Sequence, residues 1–167
     1  AVRPRKVRAA CQRLKVAWLS PIRVKTVPLG LDLSGVRATA GDFNPDDLAH
    51  AIEPYLGRIA DVMVENRDRK TLVFLPLISL SEKFAAMCRE RGLTAEHVDG
   101  QSRDRAGILA RFSRNETRIL SNAMLLTEGY DEPSVDCVVC LRPTKVRALY
   151  SQIVGRGTRL FPGKDHL

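Results

Sequence analysis

Four short β-rich runs, spaced about twenty residues apart with helical stretches between them, constrain this chain more than any other feature. They are Thr71 to Leu75, Glu96 to Val98, Arg118 to Leu120 and Asp136 to Leu141. A continuous apolar run of strand length, such as Thr71 to Leu75, suits a strand buried on both faces. Alternation of strand and helix implies right-handed crossovers and a mostly parallel sheet covered on both sides. The expected fold class is therefore α/β, a three-layer α/β/α domain. In such sheets ligands gather at the carboxyl ends of the strands.

Local signals place the helices. Asn44 precedes Pro45, Asp46 and Asp47, which is a capping side chain, a proline tolerated at the first helical position and acids in the first turn. Leu48, Ile52, Leu56, Ile59 and Met63 then form an apolar stripe, which Pro54 should kink or split. Ser79 to Glu82 reads as a capping box opening a helix that stops near Gly92, with Leu80, Phe84, Met87 and Cys88 inward. A further helix, about 103 to 112, turns Ile108, Leu109 and Phe112 inward. Upstream, residues 1–15 hold six Lys or Arg and no acid. Two β-rich pieces, Ile22 to Val27 and Val36 to Thr39, are broken by Pro21, Pro28, Gly30 and Gly35. The expected division is a basic segment and linker over 1–42 and a compact domain over 43–167.

At 167 residues and 44% apolar composition the chain suits one domain with a substantial core. A net charge of +8 favours a polyanionic partner, nucleic acid ahead of a membrane, because no long apolar or basic amphipathic run is present. Three Tyr, five Phe and one Trp are too few for a base-stacking platform, so contacts to a phosphate backbone would dominate. Cysteines at 11, 88, 137 and 140 have no disulfide-framework spacing, and no secretory signal is visible, which fits a reducing cytoplasm. Cys137 and Cys140 lie inside an apolar strand without a second pair, and His50, His97 and His166 are scattered, so no metal site is expected.

The chemistry concentrates between Arg118 and Pro162. Gly129 lets backbone approach a ligand closely, and the Asp131 carboxylate suits ribose hydroxyls. Arg156 and Arg159 stand three residues apart where a helix from about Lys145 should run out at Gly155 and Gly157. Guanidinium forks match phosphate oxygens bidentately, and a pair of them on a glycine-loosened turn could reach a transferring phosphoryl group. Such an arginine finger is worth on the order of 10³ to 10⁵ in rate.

These strings carry a family resemblance. TEGYDEPSVD and QIVGRGTRL resemble motifs V and VI of superfamily two helicases, and TLVFLPLISLSEKF resembles their motif IV strand and helix. The likeness is to the DEAD/DEAH-type group that opens motif VI with glutamine, here Gln152. It implies a RecA-like fold, the second of two such domains, working with ATP, Mg²⁺ and the amino-terminal RecA-like domain of the same protein. It implies catalytic roles for Arg156 and Arg159, and ATP contacts from Gly129, Asp131, Gln152 and Gly155. By position it also implies nucleic-acid contacts, DNA ahead of RNA, from Pro76, Leu77, Gly100, Gln101, Asn122, Thr127, Thr144 and Lys145. DEAD-box members place Thr and Asp where this chain has Ala123 and Met124, which removes a side-chain hydroxyl.

The sequence lacks the phosphate loop G-x-x-x-x-G-K-[ST] that such motors carry in their first domain. Its one Gly-Lys pair, Gly163-Lys164, is followed by Asp165 and lacks the upstream glycine. The chain is thus expected to be a fragment, ending after motif VI, that does not hydrolyse ATP by itself. The missing domain would hold most of the ATP and Mg²⁺ contacts. Two rival readings are a duplex-DNA translocase subunit of a restriction or defence system and a non-hydrolysing nucleic-acid-binding scaffold.

Overall fold

The computed structural model describes residues 19–123, 126 and 130–167, and the statements below concern those residues. A two-residue hairpin, β1 (Ala38–Thr39) and β2 (Asp42–Phe43), leads into helix α1 (Pro45–Ile52). A 3-10 turn (Glu53–Tyr55) joins α1 to α2 (Leu56–Glu65). There follow β3 (Thr71–Phe74), α3 (Ile78–Glu90), β4 (Ala95–Val98), α4 (Arg105–Ser113), β5 (Ile119–Asn122), β6 (Cys137–Cys140) and α5 (Arg147–Gly155).

Strands β3 to β6 form one sheet in the order β4-β5-β3-β6, every neighbouring pair parallel. Alternation along each strand sends its side chains to two separate cores. Val73, Leu75, Ala95 and Ile119 pack with Leu48, Ile52, Leu56, Ile59, Met63, Leu80 and Phe84 of α1 to α3. On the other face Leu72, Phe74, Val98 and Leu120 pack with Phe112 of α4, Ile153 of α5, and Leu126 and Val135. The faces follow from the strand order. β3 to β4 steps across the sheet in one direction, and both β4 to β5 and β5 to β6 step back, so crossovers of one hand must change face once. The change falls between α3 and α4, and the fold is the three-layer α/β/α arrangement.

Of the described helices only α1 starts with a side-chain cap, and α3 departs from its expected one. Asn44 accepts from the Asp46 and Asp47 amides at 3.0 and 3.1 Å, and Pro54 splits the apolar stripe into α1 and α2. Gly92, at φ +76°, closes α3: its amide reaches Arg89 O, and the Leu93 amide reaches Cys88 O. The expected capping box at Ser79 is not used. Helix α3 starts one residue earlier, at Ile78, with Leu77 in the cap position and no side-chain cap. Leu80, Phe84 and Cys88 are buried as expected, joined by Ser81 and Ala85, whereas Met87 is only half-buried.

The upstream segment differs more. Residues 22–27 form no strand, and in the second β-rich piece only Ala38 and Thr39 are extended and paired. Leu29, Leu31, Leu33 and Val36 nevertheless pack on the first core, and the boundary drawn between 42 and 43 passes through β2.

The register of β3 against β6 is fixed by charge at their amino ends. Asp136 Oδ1 accepts from the Lys70 amide at 2.7 Å, and the Arg69 guanidinium donates to Asp136 O. Next to it the Lys70 side chain is buried, 3.4 Å from Glu132, donating to Ser134 Oγ and Ser113 O, with its ammonium 4.9 Å from the Phe112 ring centroid. Burial pulls the Lys70 pKa below its ordinary value. Burial also acts to raise Glu132, but hydrogen bonds from Ser134 and Ser113 and the Lys70 charge outweigh it, and the carboxyl stays below its usual range. Removing one partner of such a pair strands the other. Lys70→Met is expected to lower the unfolding free energy by about 3 kcal/mol in urea denaturation, and Glu132→Gln added to it should restore part of the loss.

Candidate functional site

Parallel pairing brings the four strand ends to one rim, since Phe74 stands opposite both Asn122 and Cys140 and Val98 stands opposite Asn122. Pro76 and Leu77 follow β3, Gly100 and Gln101 follow β4, Asn122 ends β5, and Thr144 and Lys145 follow β6. The rim gathers these residues but does not expose them equally. Gly100 and Gln101 are exposed, on a turn built by Asp99, whose carboxylate accepts from the Gln101 amide at 2.9 Å and the Ser102 hydroxyl at 2.7 Å. The Ser102 hydroxyl, with the Gln101 amide, holds the Asp99 carboxyl below the usual range against the opposing effect of burial. Pro76 is buried and Leu77 half-buried against the first core, so their contribution is backbone: the uncapped first turn of α3 presents amides at this rim.

Three other candidates are engaged elsewhere. Asn122 is fully buried; its Nδ2 donates to Val73 O at 3.1 Å and its Oδ1 accepts from the Leu126 amide at 3.2 Å. That side chain ties β5 to β3 and cannot face a ligand at the rim. Thr144 Oγ1 donates to Asp42 at 2.8 Å, the Lys145 amide donates to the same carboxylate, and the Lys145 ammonium sits 4.6 Å from the Phe43 ring centroid. The hairpin thus arranges the loop after β6, a contact that no sequence spacing signals. Thr127 and Gly129 lie outside the described residues.

The arginines stand apart from this rim. Helix α5 carries the chain away from the rim for nine residues, about 13 Å, before Arg156 caps it. Arg156 Nη1 donates to Tyr130 O at 2.7 Å, and Arg159 Nε lies 3.4 Å from Asp131 Oδ1. Both members of the second pair are exposed, at 59% and 54%. Gln152 and Gly155 are exposed on the same helix, and a side chain at 155 would meet open space. The carboxyl strand ends thus gather the candidates that follow β3 to β6, but not the arginines of α5. The chain must return from the end of β5 to the start of β6, and that return leg brings Tyr130 and Asp131 to the far end of α5.

Helix α5 ends at Gly155, as expected, and neither Gly155 nor Gly157 has a positive φ. At Gly157 a Cβ would fall 2.0 Å from Leu167 Cδ1, so a side chain there would displace the Leu167 side chain. The exposed Arg159–Asp131 pair is weak by nature, and its guanidinium can exchange a carboxylate for a phosphate at little cost. Among the described residues no cluster of His, Cys, Asp or Glu could hold a metal ion, and no helix is long and apolar enough to cross a membrane.

The pattern of the helicase conserved C-terminal domain family matches residues 54–160. A protein of Saccharomyces cerevisiae named as an ATP-dependent helicase, IRC3, is 31% identical over 157 residues, 89% of this chain and 23% of that protein. A 51.5 kDa protein of a Lactococcus phage is 26% identical over 84% of the chain, which spans 32% of that relative. The chain therefore spans a quarter to a third of the length of these relatives. Among solved structures, a fragment described as an HsdR subunit of a type I restriction enzyme from Vibrio vulnificus superposes with TM-score 0.71 at 27% identity, over 90% of this chain and 31% of that one. A DEAD box protein from Methanococcus jannaschii shares the fold, with TM-score 0.56 over 95% of this chain and 40% of its own, at 17% identity.

The burial of Asn122 sets up a test of its role. Asn122→Ala is expected to cost on the order of 2 kcal/mol of unfolding free energy, read by urea titration, because two backbone groups lose a buried partner. Unchanged stability together with lost polynucleotide affinity would return Asn122 to the strand-gripping set.

Proposed function

This chain belongs to the helicase conserved C-terminal domain family, and on that premise we infer that it is the second motor domain of an ATP-dependent helicase or translocase. The observation that carries the reading is the convergence of Arg156 on Tyr130 O and of Arg159 on Asp131, which joins two separated segments into one phosphate-facing group. ATP would lie between this group and a phosphate-loop domain of the same protein. Arg156 and Arg159 would meet the charge that develops on the γ-phosphoryl oxygens as water displaces ADP. Asp131, released from Arg159, would accept hydrogen bonds from the ribose hydroxyls, with Gln152, Gly129 and Gly155 completing this wall. Mg²⁺ would be held mainly by the other domain, where it neutralises phosphate charge.

The rim would hold one nucleic-acid strand by its backbone. Gly100, Gln101, the amides of the first turn of α3 and the exposed Lys145 ammonium would offer donors suited to phosphates, and none of them reads a base. Opening and closing of the cleft would then move the strand, since α5 spans from the rim to the arginines as one rigid piece. DNA is favoured over RNA as the track.

A second reading has its own support. The likeness to the Vibrio vulnificus HsdR fragment extends over 90% of this chain, which favours a translocase subunit that moves on duplex DNA without separating it. A non-hydrolysing scaffold is disfavoured by the arginines and Asp131 being assembled as described.

Steady-state ATP hydrolysis by the full-length protein, with single-stranded DNA, duplex DNA and RNA, tests these readings. Stimulation by single-stranded DNA marks the helicase, and stimulation by duplex DNA alone marks the translocase. Arg159→Ala is expected to lower kcat by about 10³ with whichever polymer stimulates; retained hydrolysis would remove Arg159 from the reaction.

A further inference from the structure

Lys164, in the Gly163-Lys164 pair that fails as a phosphate loop, has its side chain folded back onto the arginine turn. Its Nζ donates to the carbonyl oxygens of Gly157, of Arg159 at 2.9 Å and of Pro133 at 3.3 Å. Two of these carbonyls follow α5, and the third lies two residues beyond Asp131 in the β5–β6 connection. The carbonyls at a helix carboxyl end lack intrahelical donors and carry the negative end of the helix dipole, so one ammonium can serve several at once.

The same turn is held from a second side. The Ser20 amide donates to Thr158 O at 2.8 Å, and its hydroxyl donates to Arg159 O at 2.9 Å. Thr158 Oγ1 donates to Gly155 O at 3.0 Å. Pro21 O accepts from the Leu167 amide at 2.9 Å, and the Leu167 side chain rests against Gly157. The carbonyls of Gly155, Gly157, Thr158 and Arg159 are thus all engaged, while the Arg159 guanidinium stays exposed. The backbone is fixed, while the exposed guanidinium, 3.4 Å from Asp131, can turn to meet a ligand.

We propose that Lys164, assisted by Ser20, is a positioning residue for the arginine turn, setting Arg159 and Asp131 at a fixed separation for the γ-phosphate and ribose of ATP. The proposal rests on the reading of Arg159 as the group that meets the transferring phosphoryl. Lys164 is suited to this because its ammonium bonds both the segment carrying Asp131 and the turn carrying Arg159. Burial lowers its pKa below the ordinary lysine value, and the charge of Asp136 opposes that shift. A guanidinium displaced by about 1 Å from its productive place can cost about 10² in rate.

The test is ATP hydrolysis at saturating polynucleotide by the full-length protein, comparing wild type with Lys164→Met, Lys164→Arg, Ser20→Ala and Arg159→Ala, each with a thermal melt. Lys164→Met is expected to lower kcat by about 10-fold or more with KM for ATP within about 2-fold, since the nucleotide still binds while the transition-state contact slips. Lys164→Arg should recover the greater part, because a guanidinium can also donate to several carbonyls. Ser20→Ala should lower kcat by about 3-fold. A wild-type kcat in Lys164→Met, or a loss that only follows the unfolded fraction, overturns the proposal. If Lys164→Met folds poorly, Ser20→Ala decides, and an unchanged kcat there overturns it equally. Full hydrolysis by Arg159→Ala would remove the underlying reading and the proposal with it. An inactive Arg159→Ala beside fully active Lys164 and Ser20 variants would sink the positioning role alone.

Discussion

Strand β3 is hydrogen-bonded on both edges and buried on both faces, and the placement of every candidate residue depends on that. Its edges are taken by β5 and β6, and Val73 packs into the first core while Leu72 and Phe74 pack into the second. A slip of one residue would turn Leu72 and Phe74 into the first core and Val73 into the second. Lys70 and Asp136 oppose the slip at the amino end, where the Asp136 carboxylate accepts the Lys70 amide. Asn122 opposes it at the carboxyl end by bonding Val73 O across the strand pair. With both ends fixed, the four loops that leave the sheet emerge at one rim in a set order.

That order separates two kinds of chemistry. The rim collects backbone amides and small polar groups, which suit a repeating phosphate backbone. The far end of α5 collects guanidinium groups and a carboxylate, which suit a nucleotide. The separation is a consequence of parallel topology, because each return leg must cross the full strand length before the next strand begins. The β5–β6 connection is one such leg and α5 is the next, and they meet where Arg156 bonds Tyr130 O. A shift at either end of α5 is carried to the other by a helix packed on the second core through Ile153 and Leu149.

Much of the compact domain was legible from the sequence because its signals are local. The apolar run at Thr71 to Leu75 gave its strand to within a residue, and Asn44 with Pro45 gave the start of α1. Pro54 divided the stripe where ring geometry requires. What was misread depended on tertiary partners. Residues 22–27 have strand-like composition, but among the described residues their backbone bonds only Leu167, through the Arg23 amide, and no ladder forms there. Ser79 has the right spacing for a cap, yet the helix begins before it because Leu77 O already accepts from the Ser81 amide. Asn122 was placed correctly at a strand end, but its burial is set by Val73 and Leu126, which lie 49 and 4 residues away.

The same distinction explains what the sequence hid in the arginine turn. Arg156 and Arg159 are visible by their spacing, whereas Ser20 and Lys164 bond this turn from positions 139 and 5 residues distant from Arg159. Neither belongs to a recognisable string. An exposed arginine on an unsupported turn would lose conformational freedom each time it met a phosphate. Fixing the backbone in advance leaves only the side chain to be ordered, and the Asp131 carboxylate already draws that side chain toward one direction. The turn therefore concentrates its polar bonds on main-chain carbonyls and leaves the Arg159 guanidinium exposed, which is the arrangement a preorganised phosphate contact requires.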